Sequence, residues 1–194
     1  MALPADADLT PSDDDLFRSA ANGDDSAFHA LVDRHAPRLF RSALSLAPSR
    51  PDAEDLVQET LIGAYRGLRN FDGRSSVKTW LTSILIRQAA KNWQRTKKHR
   101  QAQSLNRTVD ESKDARLSMA STEERTDRRL DLLAIIRKLA APHREVLVLR
   151  EMQGLSYEEI AATLSIPRGT VESRLHRARS ELRQYLTMYA PQQR

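Results

Sequence analysis

Residues 154–182 contain the feature that most restricts the fold of this chain. They read GLSYEEIAATLSIPRGTVESRLHRARSEL. Ser156, followed three residues later by Glu159, matches a capping box and predicts a helix that starts at this serine. The next residues, 165–167 (SIP), predict a tight turn, after which Thr170 can cap a last helix. The stretch therefore predicts a helix-turn-helix unit.

Apolar residues recur at helical spacing along almost the whole chain, and no stretch alternates convincingly as a strand would. The N-terminal half predicts helices over about 12–22, from 25 onward, over about 52–68 and over about 77–97. Pro37 should kink or divide the second of these, because proline removes a backbone donor. The side chains expected to face inward from the third and fourth helices are Leu56, Leu61, Tyr65, Leu68, Trp80 and Trp93.

The pattern predicts an all-α protein of two small helical domains joined by a polar linker. Residues 1–12 form an acidic tail, and residues 13–97 form the first domain. Residues 98–126 are the linker, since they are nearly free of large apolar side chains. Residues 127–187 form the second domain, and residues 188–194 form a tail. Within the second domain, one helix that Pro142 ends carries Leu132, Ile135, Ile136 and Leu139.

Composition excludes several classes of protein. The 194 residues include no cysteine, which rules out disulfides and thiolate metal sites, and the five histidines lack the paired spacing of a zinc site. No P-loop, metal motif or nucleophile–base spacing indicates an enzyme, and no cofactor is expected. No apolar run approaches the ~20 residues of a membrane span, and the N-terminus lacks a signal-peptide core. We expect a soluble, cytoplasmic protein that neither catalyses a reaction nor inserts into a membrane.

Charge is distributed unevenly along the chain. Residues 1–60 carry twelve acidic and five basic side chains, whereas residues 61–107 carry one acid, Asp72, and eleven bases. A solvated surface usually mixes both signs, so the basic segment indicates a polyanionic partner. Several of its bases recur near helical spacing after a hydroxyl-rich loop. That combination suits a nucleic-acid strand with an unstacked base.

The last helix is the candidate for reading DNA bases. Recognition helices contact base edges with their first two turns and phosphates with flanking basic residues. The side chains where base edges would lie are Thr170, Glu172, Ser173 and His176. Those suited to phosphates are Arg168, Arg174 and Arg177, although arginine also recognises guanine. The alternative interpretation is a basic helix that is only exposed to solvent. The capped helix and tight turn that precede it favour the DNA-binding interpretation.

Residues 52–60 (DAEDLVQET) carry an acidic and polar face. Asp52, Glu54 and Asp55 crowd the first helical turn, where negative charge complements the helix dipole. That explanation does not cover Gln58 and Glu59, which continue the same face. We therefore expect these five side chains, called the acidic face below, to form a docking surface for another protein.

Three motifs in order resemble bacterial sigma factors of the extracytoplasmic-function (ECF) group, in the sigma-70 family. They are DAEDLVQET at 52–60, FDGRSSVKTWL at 71–81 and GLSYEEIAATLSIPRGTVESRLHRAR at 154–179. The resemblance covers about residues 13–97, similar to sigma region 2, and 127–186, similar to sigma region 4. Each motif alone is moderately specific, and their order makes the resemblance strong.

The resemblance implies a subunit that directs RNA polymerase core to promoters, recognises −10 and −35 elements and melts the −10 element. It implies two contacts in the core enzyme: the β′ clamp helices, on which the acidic face docks, and the β flap. It assigns −10 contacts to Phe71, Arg74, Ser76, Lys78, Trp80, Arg87 and Lys91. It assigns −35 contacts to Arg150, Ser156 and Tyr157, together with the seven side chains of the last helix named above. An anti-sigma factor is a common partner in the family, although no residue here identifies one.

Two positions depart from the family pattern. Arg87 stands where the family often has asparagine near the −10 base, and Glu172 stands where many members have arginine or lysine. A carboxylate at 172 can accept a hydrogen bond from cytosine N4, and it would repel phosphate. It can also pair with Arg168 or His176 along the helix.

One alternative function is a stand-alone helix-turn-helix transcriptional regulator with an N-terminal helical sensing domain. The second domain alone supports that interpretation equally well. Such a regulator needs a ligand pocket or a dimerisation helix, and the sequence indicates neither. Regulators of this kind usually bind paired half-sites, so a monomer in solution would count against it.

Overall fold

The computed structural model of this protein describes residues 11–104 and 132–189, with the side chains of the fourth helix described as far as residue 95. Most of the acidic tail, most of the predicted linker and the start of the predicted second domain lie outside these residues. Every regular element within them is helical, as the sequence predicts. None of the described helices is long and apolar enough to cross a membrane.

The first domain contains four helices and one 3₁₀ turn. They are α1 (Asp13–Ala21), α2 (Asp25–Leu46), α3 (Arg50–Gly67), the 3₁₀ turn Leu68–Asn70 and α4 (Val77–Ser104). Ser12, Asp24 and Ser49 accept hydrogen bonds from backbone N–H groups at the starts of α1, α2 and α3. Pro37 does not divide α2, which is continuous through it. Buried Leu31 and Leu39 pack on either side of the proline and hold both halves of the helix in place.

The second domain contains α5 (132–138), α6 (Ala141–Leu147), α7 (Tyr157–Leu164) and α8 (Arg168–Tyr189), with α6 continuing into a π-helical turn, Val148–Met152. Pro142 lies in the first turn of α6 and does not itself end α5. That position suits proline, whose missing N–H is unpaired at the start of any helix.

The helix-turn-helix has the predicted capping box. The Oγ of Ser156 accepts from the Glu159 N–H at 3.1 Å, and the Glu159 carboxylate accepts from the Ser156 N–H at 2.8 Å. The predicted cap at Thr170 is wrong, because α8 already begins at Arg168. The carbonyl of Pro167 accepts from the Thr170 N–H at 2.9 Å, so the chain is helical from the proline onward.

The helices α1, α2, α3 and α4 enclose the first core. Two side chains that the sequence predicts to face inward, Tyr65 and Trp93, do not belong to it. Tyr65 is 51% exposed, and its hydroxyl donates to Asp25 at 2.9 Å. The small side chain of Ala64, which is fully buried, takes the inward position in that turn of α3. Trp93 is 53% exposed, since it lies one turn beyond Ala89, where α4 still packs on the core.

The second core lies between α6, α7 and α8. Its central cluster consists of Val146, Leu149, Leu155, Ile160, Val171 and Leu175. Ile86 of α4 is buried in the same cluster, and Leu46 at the end of α2 packs against it. The two predicted domains therefore lie directly against each other.

Candidate nucleic-acid interface

The inner face of α8 fixes which of its side chains point outward. Val171, Leu175 and Ala178 are buried against α6 and α7, as their helical spacing predicts. Five of the seven predicted DNA-contacting side chains of this helix are exposed, and Thr170 and Arg174 are half-buried. The first two turns of α8 therefore present a continuous polar surface.

An ion-pair network crosses the start of that surface. The Arg168 Nη1 lies 2.9 Å from the Glu158 carboxylate of α7, and its Nε donates to the Glu172 Oε1 at 3.1 Å. The predicted pairing of Glu172 with Arg168 is thus present. The sequence did not predict the pairing of Glu158 with Arg168, because the two residues lie on different helices on either side of the turn. All three side chains are solvent-exposed, so the network orients them more than it stabilises the fold.

Three further predicted −35 residues meet at the start of α7. The guanidinium of Arg150 lies 5.3 Å from the centre of the Tyr157 ring and donates to the Leu155 carbonyl at 2.7 Å. The hydroxyl and the backbone N–H of Ser156 both form the hydrogen bonds of the capping box. The N–H of Ser156 and the hydroxyl of Thr79 both bind the Glu159 carboxylate and, with the backbone bond the stronger effect, lower its pKa. Hydrogen bonds to Glu159 therefore hold this end of α7, and the guanidinium of Arg150 lies beside it.

The loop before α4 is held by an aromatic cluster. The ring of Phe71 lies 4.7 Å from that of Phe17 and 5.0 Å from that of Trp80, and Phe17 meets Trp80 edge-on at 5.4 Å. Phe71 and Trp80 are each half-buried. Both rings therefore brace the loop on the first core while keeping part of their surface in solvent.

The polar residues of this −10 segment (residues 71–91) lie along the loop and one side of α4. Ser76 caps α4 by accepting from the Thr79 N–H at 3.1 Å, and Arg74 pairs with Asp72 at 2.9 Å. Arg87 and Lys91 are exposed and lie one helical turn apart. Arg87 folds back on its own helix and donates to Ser83 at 3.2 Å. Lys78 is half-buried, near the carboxylate of Glu159.

The acidic face lies on the outer side of α3. All five of its side chains are exposed, whereas Ala53, Leu56, Val57 and Thr60 of the same helix are buried. Glu54 pairs with Arg50 at 3.1 Å. Glu54 and Gln58 also border a groove of about 410 Å³ between α2 and α3, which Phe40 and Pro37 line from the other side. The acidic face therefore adjoins an apolar recess.

Comparisons with known proteins identify the family. Residues 31–100 match the family model of Sigma-70 region 2, and residues 129–182 match that of Sigma-70, region 4. The ECF RNA polymerase sigma-E factor of Escherichia coli is 35% identical over 178 residues, which cover 88% of this chain and 92% of the relative. The chain belongs to the ECF RNA polymerase sigma factors.

Two further proteins are similar to this sigma factor over most of its length. The ECF RNA polymerase sigma factor SigE of Mycolicibacterium smegmatis is 34% identical over 192 residues, covering 94% of this chain and 72% of the relative. The sigma factor RpoE, solved in complex with the anti-sigma factor NepR from Bartonella quintana, is 30% identical with a TM-score of 0.63. That match covers 84% of this chain and 98% of the solved one. The all-α architecture and the sigma-factor function are confirmed, and the stand-alone regulator receives no support.

Proposed function

We propose that this sigma factor distributes promoter recognition over three surfaces. The proposal rests on one observation. Three elements each bury one side in a core and expose, on the other side, the kind of side chain that one of these contacts needs. These are the acidic face on α3, the basic −10 segment with its half-exposed rings, and the mixed polar surface at the start of α8. RNA polymerase core and promoter DNA are the partners of a sigma factor, and each surface suits one of these contacts.

The acidic face docks on the β′ clamp helices of the core enzyme. Its carboxylates are solvated and point away from the first core, so a basic partner can reach them without disturbing the fold. The neighbouring apolar groove between α2 and α3 offers a recess for an apolar side chain of that partner. The β flap is the second proposed contact in the core enzyme.

The −10 segment captures an unstacked base and the strand that carries it. The exposed parts of Phe71 and Trp80 supply a surface on which a base can stack, and Ser76 lies in the loop beside them. Lys78 and the exposed cations Arg74, Arg87 and Lys91 suit the phosphates of the strand.

The start of α8 reads the −35 element in the major groove. Glu172 is suited to accept a hydrogen bond from cytosine N4, and Thr170, Ser173 and His176 share its surface. Phosphate contacts come from Arg168, Arg174 and Arg177 on α8, and from Arg150, Ser156 and Tyr157 at the start of α7.

We also propose a cytoplasmic location, because a sigma factor acts with RNA polymerase on promoter DNA. An anti-sigma factor is a further proposed partner. The similar sigma factor RpoE was solved in complex with the anti-sigma factor NepR, which supports a partner of that class.

Run-off transcription with purified core enzyme and a random promoter library tests these assignments together. We expect weak DNA binding by the chain alone and initiation once core is added, with selected sequences centred near −10 and −35. Tight binding to a palindromic site without polymerase, combined with no initiation when core is present, would contradict the proposal.

A further inference from the structure

Three aromatic rings from separate elements meet at the start of the −10 segment. Phe17 belongs to α1, Phe71 lies in the loop before α4, and Trp80 lies in the first turn of α4. The centre of the Phe17 ring lies 4.7 Å from that of Phe71 and 5.4 Å from that of Trp80. Phe17 is 7% exposed, whereas the other two rings are half-buried. Phe17 therefore occupies the buried side of the cluster, and the two rings proposed to meet DNA lie nearer to solvent.

Both contacts of Phe17 have the edge-to-face geometry that aromatic pairs favour. The interplanar angles are 63° with Phe71 and 90° with Trp80. Such pairs stabilise one another beyond the apolar area that they bury. Because a single ring contacts both others, it constrains the tilt of each ring as well as its depth. A leucine at this position would fill much of the same space but would offer no ring edge or face to orient them.

The backbone of α3 limits Trp80 on another side. A Cβ atom built on Gly67 would lie 3.3 Å from Cζ2 of the indole, which is shorter than the optimal separation of about 3.5–4.0 Å between carbon atoms. The indole thus lies against the last turn of α3, and the glycine leaves it the room to do so. Trp80 is therefore held between α3 and the ring that α1 supplies.

The start of α1 is tied to α2 by side-chain contacts. The Asp13 carboxylate lies 2.8 Å from Nε2 of His35, which is 8% exposed, and it accepts from the Arg34 guanidinium at 2.6 Å. The same guanidinium donates to the Pro11 carbonyl at 3.0 Å. These contacts fix α1, and with it the position of Phe17, relative to α2.

The two outer rings are too close together to enclose a base between them. The centres of Phe71 and Trp80 lie 5.0 Å apart, and their planes are tilted by 42°. A base between parallel rings needs about 7 Å, twice the roughly 3.4 Å between stacked base pairs. A captured base must therefore stack on an exposed ring face at the outside of the cluster, and its position depends on the tilt of that ring.

We infer that Phe17 is a positioning residue for capture of the −10 base, and that α1 acts in promoter opening through this side chain. Phe17 does not touch the DNA; it holds Phe71 and Trp80 at the angle at which their exposed parts receive the base. The inference rests on the proposed −10 assignment of those two rings. It extends the −10 machinery to α1, which lies outside the residues 31–100 that match the family model of region 2.

Tryptophan fluorescence tests the positioning without any DNA. The chain has two tryptophans, so Trp93→Phe leaves Trp80 as the only reporter. In that background Phe17→Leu should raise the acrylamide quenching of Trp80 at least about twofold, because a half-buried ring that loses its edge-on neighbour becomes more accessible. Urea denaturation identifies the conditions under which each variant is folded. Phe17→Met, whose unbranched side chain fills irregular gaps in a core, replaces the leucine variant if that variant does not fold.

Phe28→Leu is the matched control. Phe28 packs on the same core and meets Tyr65 edge-on at 5.1 Å, with an interplanar angle of 69°. The same substitution there removes a ring of the same kind from a pair that lies outside the −10 segment, so it should leave the quenching of Trp80 unchanged. If Phe17→Leu leaves the quenching at the value of its Trp93→Phe parent, or if both variants raise it equally, the inference is wrong.

Affinity for a single-stranded −10 oligonucleotide tests the role of Phe17 in base capture. The oligonucleotide comes from a promoter that the holoenzyme opens, and fluorescence anisotropy measures its binding to holoenzyme. Each base is replaced in turn by an abasic site, so the ratio of the two affinities isolates that base, to which aromatic stacking contributes about 5- to 150-fold. At the position where the wild-type ratio is largest, Phe17→Leu should lower this ratio at least about threefold. General destabilisation would instead lower affinity for both oligonucleotides equally.

Three further variants complete the design. Phe28→Leu should keep the wild-type ratio, and at least one of Phe71→Ala and Trp80→Ala should lower it as far as Phe17→Leu does. A wild-type ratio in Phe17→Leu, or the same loss in Phe28→Leu, would overturn the inference. If no base in the wild type is preferred over its abasic site, or if neither ring variant lowers the ratio, the −10 assignment fails instead. The quenching of Trp80 then still decides whether Phe17 positions that ring.

Discussion

The carboxylate of Glu172 offers the sharpest test of how α8 reads DNA. Glu172 lies at the start of the exposed surface of α8, and its Oε1 accepts from Arg168 at 3.1 Å. Glu158 holds the same guanidinium at 2.9 Å, so the orientation of Arg168 does not depend on Glu172 alone. The second carboxylate oxygen of Glu172 remains available to accept a hydrogen bond from cytosine N4.

Replacing Glu172 with glutamine keeps its length and removes its charge. The ion pair with Arg168 has side chains 48% and 62% exposed, so its loss should change the free energy of unfolding by no more than about 1 kcal/mol. The preference for one −35 base pair should fall by about 1–3 kcal/mol, or about 5- to 150-fold in relative affinity. The amide also no longer repels phosphate, so affinity for unrelated sequences should rise slightly.

Selection from a promoter library randomised at the −35 element, with holoenzyme, measures this change. Arg177→Ala is the control, since Arg177 is exposed on the same helix and is proposed to bind phosphate. It should weaken binding evenly across sequences and reduce the salt slope by about one. An unchanged preference in Glu172→Gln, or an even loss at every position, would show that this carboxylate does not read a base.

Three further predictions concern the fold and the docking surface. Ile160→Ala should lower the free energy of unfolding by about 2–5 kcal/mol in urea denaturation, because Ile160 is fully buried in the helix-turn-helix core. Asp55→Lys should weaken binding to core polymerase at least tenfold in fluorescence anisotropy, with unchanged circular dichroism, and unchanged affinity would refute the docking surface. The pKa of Glu159 is held below its usual value of 4.5, so its carboxylate stabilises the fold above about that pH, and this contribution is lost as the pH falls through the lower folded pKa. Glu159→Gln should therefore flatten the dependence of unfolding free energy on pH below about 4.5, whereas a parallel profile would contradict that role.

Features that depend on neighbours in sequence were predictable. The capping box at Ser156 and Glu159 and the cap at Ser12 form between residues three apart, so the residue types alone identify them. The inner face of α8 follows from helical spacing, because one apolar stripe of that helix has one core to face. The outward position of Glu172 follows from the same spacing.

Features that depend on distant packing were not predictable. Tyr65 and Trp93 fit the helical period, but whether a position on that period is covered depends on how far the neighbouring helices extend. Gln153 has the sequence appearance of a surface residue after a helix, and only its contact with Ser42, 111 residues away, shows that it is buried. The pairing of Glu158 with Arg168 likewise requires the angle between α7 and α8, which no local pattern supplies.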